Sequence, residues 1–442
     1  METSSSAETL ATPARRAAHT VRTSGGKIKA IAAITIGNGL EFFEFTAYSF
    51  FAIIIGKLYF PADGDSAQLM LVTATFGIGF VARPIGGLLL GSYADRAGRK
   101  AAMSLTLTLM AIGSGLIVFA PTYARIGLAA PLLIVLARLF QGFALGGEFG
   151  ASTSLLMEYA DDRSRGFYGG LQVVSQNLSA LLGALMGLSL TAVLSTASLE
   201  SWGWRIPFAL GLLMGPLGVY IRRNLHETLA TGVAARNSFS HSIRIVFADH
   251  RPQIAAGVGL TMGSIAAVYI TLYYIPTYVA KVLHMPASAG LTAACMAAAV
   301  NALLAPLVGM LSDRVGRKKV FGVSCLLLVF AAYPAFALIN QAPTIATLLP
   351  VMALLTMLAT FTAVPNVVML PEMFPQAVRA TGMSVVYCIG VAIFGGFAPF
   401  FATKLIAVSG SNLAPSWYLM ACGLGALVAL PFIQEKAGQP IE

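Results

Sequence analysis

"GSYADRAGRK" (residues 91–100) and "GMLSDRVGRK" (residues 309–318) are one ten-residue pattern, G-x-x-x-D-R-x-G-R-K, written twice. Each copy separates two long apolar runs. A second pair follows in the same order. "MEYADDRSRG" (157–166) parallels "PEMFPQAVRA" (371–380), and Glu158 to Arg165 and Glu372 to Arg379 share a seven-residue spacing. The offsets between copies, 218 and 214 residues, nearly agree. The chain therefore reads as two homologous halves in parallel orientation, an arrangement that usually encloses a substrate site at the interface near the midplane.

Outward from these loops the sequence is apolar. Hydrophobic residues make up 57% and charged residues 10% of the 442, and the mean hydropathy is +0.79. A soluble domain carries about 25% charged residues. Apolar runs fall at about 30–56, 68–92, 102–121, 129–156, 167–194 and 204–221, then at about 253–280, 288–311, 319–339, 345–369, 381–407 and 416–433. Runs of this length span a bilayer as helices. The expected fold is an all-α membrane protein of twelve transmembrane helices in two six-helix pseudo-symmetric halves. The expected organisation is a polar tail over 1–29, a first bundle over 30–222, a linker over 223–251, a second bundle over 252–435 and a short tail over 436–442. The tail over 1–29 lacks the apolar core and cleavage site of a secretory signal. Within the linker, "SFSHSIRIVFADH" (238–250) could lie on the membrane surface as a short amphipathic helix.

Lysine and arginine orient the spans. With both termini inside, interior segments hold 21 Lys and Arg and exterior segments hold five, Lys57, Arg125, Arg205, Lys281 and Lys404. The net charge of +10 is this topology signal, so nucleic acid is not an expected partner. Membrane lipid is. The chain is expected in a bacterial inner membrane with cytoplasmic termini. Cys295, Cys325, Cys388 and Cys422 all fall in apolar stretches without metal-ligand spacing, and read as buried thiols.

The duplicated loop suggests a gate. Its glycines permit a tight turn and close helix packing. Its aspartate can pair with the basic residues or cap the following helix. Opening the inner side must break that cluster, which makes Asp95, Arg99, Asp313 and Arg317 gate candidates, with Arg165, Arg379 and Glu148 beside them. The plainer alternative is a topology anchor. Gly142 and Gly146 in "GFALGGEFG" have the small-xxx-small spacing of closely packed spans.

Charges inside the spans are costly and functional by default. "GNGLEFFEFTAYSFFAIIIG" (37–56) places Glu41 and Glu44 inside the first span. Asn38, Glu41, Phe45 and Tyr48 share one helical stripe, expected to line a cavity, and Glu44 borders it. Each carboxylate must be paired or protonated there, so each is either a proton carrier or half of a static ion pair with an arginine. Arg138 in the fourth span is the candidate for binding an anion bidentately or for pairing with one of these acids. Arg83, close to the gate loop, reads as structural or coupling. Gln172, Gln176, Tyr269, Tyr273, Asn301, Asn366 and Tyr387 are polar residues in apolar runs, open to substrate binding or to helix–helix hydrogen bonding. No histidine lies inside a span, so a histidine relay is not expected. No G-x-x-x-x-G-K-[ST] loop and no nucleophile or metal cluster occurs, so neither ATP-driven pumping nor an enzyme is expected.

The duplicated loop resembles the signature of the major facilitator superfamily, and "ARLFQGFALGGEFG" (137–150) resembles its fourth-helix motif. "GNGLEFFEF", "ARPIGG" (82–87) and "SWGWRIPF" (201–208) resemble the metabolite:proton symporter family. Within it, "AIFGGFAPFFATKLIAVSG" (392–410) and the short C-terminus most resemble citrate–proton symporters. The resemblance implies alternating-access import of a small organic anion, citrate first, driven by protons with sodium not excluded, without a cofactor or metal, by a functional monomer. Family members also carry dicarboxylates, shikimate-like acids, proline and betaine, so these remain alternatives, with an exporter a more distant one. Many members have Trp-Tyr-Asp where this chain has Phe42-Phe43-Glu44, an acid one methylene longer.

Overall fold

The computed structural model describes residues 39, 42–62, 64–97, 99–146, 153, 160–213, 216, 247–375 and 379–439. Helices dominate and no strand occurs among the described residues. With no water to satisfy peptide groups, a helix is the way an apolar segment of this length crosses lipid. Among the described residues, nine helices are long and apolar enough to do so. The bent pair α1 (Phe42–Phe50) and α2 (Ala52–Tyr59) makes a further span, broken by 68° at Phe51. Helix α3 is Asp65–Ala97, α4 is Arg99–Phe119, α5 is Ala129–Gly146 and α6 is Arg165–Val193. The short α7, Ile206–Gly211, opens the sixth span. The second half comprises α8 (Arg251–Lys281), α9 (Ala287–Val315), α10 (Arg317–Gln341), α11 (Ile345–Glu372), α12 (Thr381–Ser409) and α13 (Ala414–Phe432). With α4 and α7 counted, these segments fill the positions of a twelve-span chain. Most of residues 238–250, expected to form a surface helix, lie outside the described residues.

The halves are pseudo-symmetric in their irregularities as well. The break at Phe51, moved by the 218-residue repeat offset (309 − 91), falls on Tyr269. There α8 passes through a π-helical stretch, Tyr269–Tyr274. Helix α12 has another, Val391–Gly396. Such stretches often mark functional sites, because they re-aim side chains by part of a turn.

Glycines set the closest approaches. A methyl group on Gly142 would fall on the Gly79 carbonyl oxygen, and one on Gly146 on that of Arg83, so α3 and α5 touch backbone to backbone. Helices α6 and α9 cross between the halves in the same way, Gly166 against Gly309 and Gly170 against Ala305. In the second G-R-K loop, Gly316 has φ +107°, a conformation unfavourable for any residue with a side chain. It lets α10 restart directly after α9. Large apolar side chains such as Val193, Leu303 and Phe119 stand exposed on the outer surface, which is the surface lipid covers in a multi-pass membrane protein.

Candidate transport site and gate

The first half buries a polar chain in its interior. The Ser114 hydroxyl on α4 donates to Glu44 Oε2 on α1. Gln141 Nε2 on α5 donates to the same oxygen at 3.2 Å. One turn earlier on α5, Arg138 Nη1 donates to Gln141 Oε1 at 2.8 Å. Acid and guanidinium are therefore joined by one amide, with no direct ion pair between them. All four side chains are fully buried. The arginines rest on aromatic rings. The Arg138 guanidinium lies 3.9 Å from the Phe45 centroid and 4.6 Å from that of Tyr48. The Arg83 guanidinium lies 4.1 Å from the Phe80 centroid and 4.6 Å from that of Phe45. Each such contact contributes up to about 2 kcal/mol in a desolvated setting. Two donors of each guanidinium have no hydrogen-bond partner among the described residues.

Beside this chain a cavity of about 40 Å³ lies between the halves. That is room for about two or three waters, since one needs roughly 10–15 Å³ on this measure. Its wall includes Phe42, Gln176 and Asn177 from the first half, and Tyr269, Tyr273, Asn301, Asn366 and Tyr387 from the second. Asn177 Oδ1, Asn301 Nδ2 and Asn366 Nδ2 have no hydrogen-bond partner among the described residues. Buried amides left open in this way are groups a polar ligand or ordered water can satisfy. Six residues singled out as polar interruptions of apolar runs thus share one wall. Tyr48, Gln172 and Arg138 do not. The stripe through Phe45 and Tyr48 faces the bundle interior, with the Tyr48 hydroxyl donating to the Val72 carbonyl at 3.4 Å. For Phe45 and Tyr48 the expected cavity-lining face is thereby corrected: packing against α3 and α5 takes up these side chains. Asn38, Glu41 and Glu148 lie outside the described residues.

At the end bearing the repeated loops, an ion network joins the halves. Glu372 at the end of α11 meets Arg165 at 3.3 Å and Arg317 at 3.1 Å. Arg317 also pairs with Asp313 at 3.1 Å. Asp313 accepts from the backbone N–H of Gly166 at 2.8 Å and of Phe167 at 3.2 Å. It therefore caps α6 of the opposite half, where a helix N-terminus favours negative charge. The sequence had offered the loop aspartate two roles, pairing with the basic residues or capping the following helix; Asp313 takes the first with Arg317 and caps a helix of the other half instead of its own. Arg165 further donates to the carbonyls of Lys436, at 3.2 Å, and Gln439. Arg379 donates to the Pro371 and Phe374 carbonyls and so closes the turn after α11. The side chains of Asp95 and Arg99 lie outside the described residues.

Residues 29–230 match the sugar (and other) transporter family, and residues 222–442 match it again. The chain belongs to that family. The fold is that of the major facilitator superfamily. It matches the structure of the proton:xylose symporter XylE bound to 6-bromo-6-deoxy-D-glucose with a TM-score of 0.74 at 18% identity, covering 95% of this chain and 98% of that one. Curated relatives include the citrate-proton symporter of Klebsiella pneumoniae, 35% identical over 418 residues, 95% of this chain and 94% of that protein. The citrate-proton symporter of Salmonella typhi is 36% identical over 426 residues, 96% and 98% of the two chains. The proline/betaine transporter of Escherichia coli K12 is 31% identical over 429 residues, 94% and 85%.

In this transporter, sequence reading missed three residues that the geometry makes prominent. Gln141 stands in the quoted fourth-helix motif three residues after Arg138, a spacing that could have flagged it. Ser114 and Gly211 carry no comparable signal, because serine and glycine occur throughout packed spans. Asn177, beside Gln176 in the sequence, shares its wall. Glu372 was noted only for its spacing to Arg379.

Proposed function

We propose that this transporter imports citrate or a related tricarboxylate together with protons, by rocking its two halves about the central cavity. The cycle runs in a bacterial inner membrane, with the repeated loops and both termini on the cytoplasmic side, and the monomer is the working unit. The observation that carries the reading is the Glu44–Gln141–Arg138 chain, in which an acid and a guanidinium share one amide instead of an ion pair. A buried carboxylate so placed is costly when ionised. Protonation of Glu44 removes its negative charge and leaves Arg138 and Arg83 as uncompensated cations beside the cavity. A tri-anion is then attracted, and its carboxylates and hydroxyl find donors in Gln176, Asn301, Asn366 and the tyrosines. Opening of the Arg165–Glu372–Arg317 network lets substrate and proton leave together. Tyr269, Tyr273, Tyr387 and Phe42 favour a second reading, a quaternary-ammonium zwitterion held on aromatic faces. The unpaired guanidiniums favour the anion.

Labelled citrate uptake into proteoliposomes under an inward proton gradient tests this, with tricarballylate, malate, shikimate, proline and betaine as competitors. Accumulation blocked by tricarboxylates alone is expected. Robust uptake of betaine with none of citrate would overturn the substrate class. Replacing the proton gradient by a sodium gradient should give no accumulation.

A further inference from the structure

Glu44 is held from a third side. Its Oε2 receives Ser114 and Gln141, whereas Oε1 has no hydrogen-bond partner among the described residues. Oε1 lies instead directly against Gly211, the last residue of α7. A methyl group built on Gly211 would coincide with that oxygen and also crowd the carboxyl carbon.

The placement of Gly211 is fixed by the motif before it. Trp204 is fully buried and packs edge-on against Tyr59 at 5.7 Å and Phe208 at 6.0 Å. Arg205 donates to the Val118 carbonyl at 3.0 Å, the Ala120 carbonyl at 3.3 Å and the Tyr59 hydroxyl at 3.2 Å. These contacts tie the start of α7 to α2, which continues the broken span of Glu44, and to α4, which carries Ser114. The six-residue α7 then delivers Gly211 to the carboxyl group without slack.

We propose that Gly211 is a positioning residue for the Glu44 carboxyl group and sets the length of acid the site accepts. The inference rests on the reading of Glu44 as the proton carrier. With a side chain at 211, the glutamate must swing off Ser114 and Gln141, and the link to Arg138 breaks. Aspartate is shorter by one C–C bond, about 1.5 Å. With glycine at 211, its carboxyl group falls short of both donors. Gly211→Ala adds the carbon that Glu44→Asp removes, so the double variant conserves volume, the kind of change packed sites tolerate best.

The test compares wild type, Gly211→Ala, Glu44→Asp, the double variant and Glu44→Gln in proteoliposomes. Gradient-driven citrate accumulation and citrate–citrate exchange without a gradient are both read. Each of Gly211→Ala and Glu44→Asp should lower accumulation by about tenfold to a hundredfold, the cost of a reacting group displaced by about 1 Å. Exchange should fall less. The double variant should recover part of the loss, because the methyl group refills the space the shorter acid vacates, a non-additivity expected only of groups in contact. Wild-type accumulation in Gly211→Ala would overturn the proposal. So would a loss that shortening the acid does not repair, including misfolding that persists in the double variant. Full accumulation by Glu44→Gln would instead overturn the proton-carrier reading beneath it, and the two failures are told apart by that variant.

Discussion

Gln141 offers an amide oxygen to Arg138 and an amide nitrogen to Glu44, and an amide can accept and donate at once from two separate atoms. Gln141→Leu strips both partners of a hydrogen bond inside the bundle. Each buried polar group left unsatisfied costs about 1–3 kcal/mol, so the melting temperature in detergent should fall by several degrees. Gln141→Glu acts differently. It gives Arg138 a direct ion pair and places a second carboxyl beside Glu44. Proton-driven accumulation should fall by about tenfold while the fold survives, a loss of about 1.4 kcal/mol, measured as initial uptake rate against thermal stability. At this scale the sequence was legible only in part. A polar residue in an apolar run must face inward, which is why Gln176, Tyr269, Tyr273, Asn301, Asn366 and Tyr387 could be picked out. Which inward surface it meets depends on the neighbouring helix. Tyr48 and Arg138 therefore turn to the interior of one half rather than to the wall between halves.

The α3–α5 contact shows why elements were easier to read than sites. Gly142 and Gly146 announce close packing by spacing alone, and the structure puts them on the carbonyls of Gly79 and Arg83. That contact carries Arg83 and Arg138 on adjacent helices toward the shared ring of Phe45. Gly142→Ala must push the helices apart. Overpacking of this kind costs about 1–3 kcal/mol, and the guanidiniums lose their common ring. A lowered melting temperature together with weaker citrate binding, read by calorimetry, is expected. The break at Phe51 and the π-helical stretch at Tyr269 were not legible. Neither segment contains a proline or glycine to mark it, and the irregularity arises from how the two halves meet. One such contact is Ser49 Oγ donating to the Tyr273 carbonyl at 2.7 Å.

For the whole molecule, the repeat gave away the fold because an ancestral loop copied twice brings its helices with it. It left the pairing at the gate open. The seven-residue spacing of Glu372 to Arg379 marks the repeat and not a bond, and Glu372 reaches Arg165 of the other half. Such exchange is what a gate between two rigid bodies requires, since a bond within one half would not resist their separation. Glu372 stands between two buried guanidiniums, and removing one partner of a buried ionic cluster costs about 3–5 kcal/mol. The same loss does not fall on the open state, in which the cluster is already apart. Glu372→Gln should therefore shift the population toward the form open at the loop end. A cysteine placed at Ala363, on the cavity wall, reports this by its reaction with an impermeant maleimide added from the side that bears the repeated loops. Labelling should rise about tenfold or more over the same cysteine with Glu372 intact, the change that about 1.4 kcal/mol produces. Truncation before Lys436, which removes two carbonyl acceptors of Arg165, should raise it in the same direction by less. Unchanged labelling in Glu372→Gln would mean that the halves are held by the α6–α9 glycine crossing alone, and that the ions merely decorate a contact already closed.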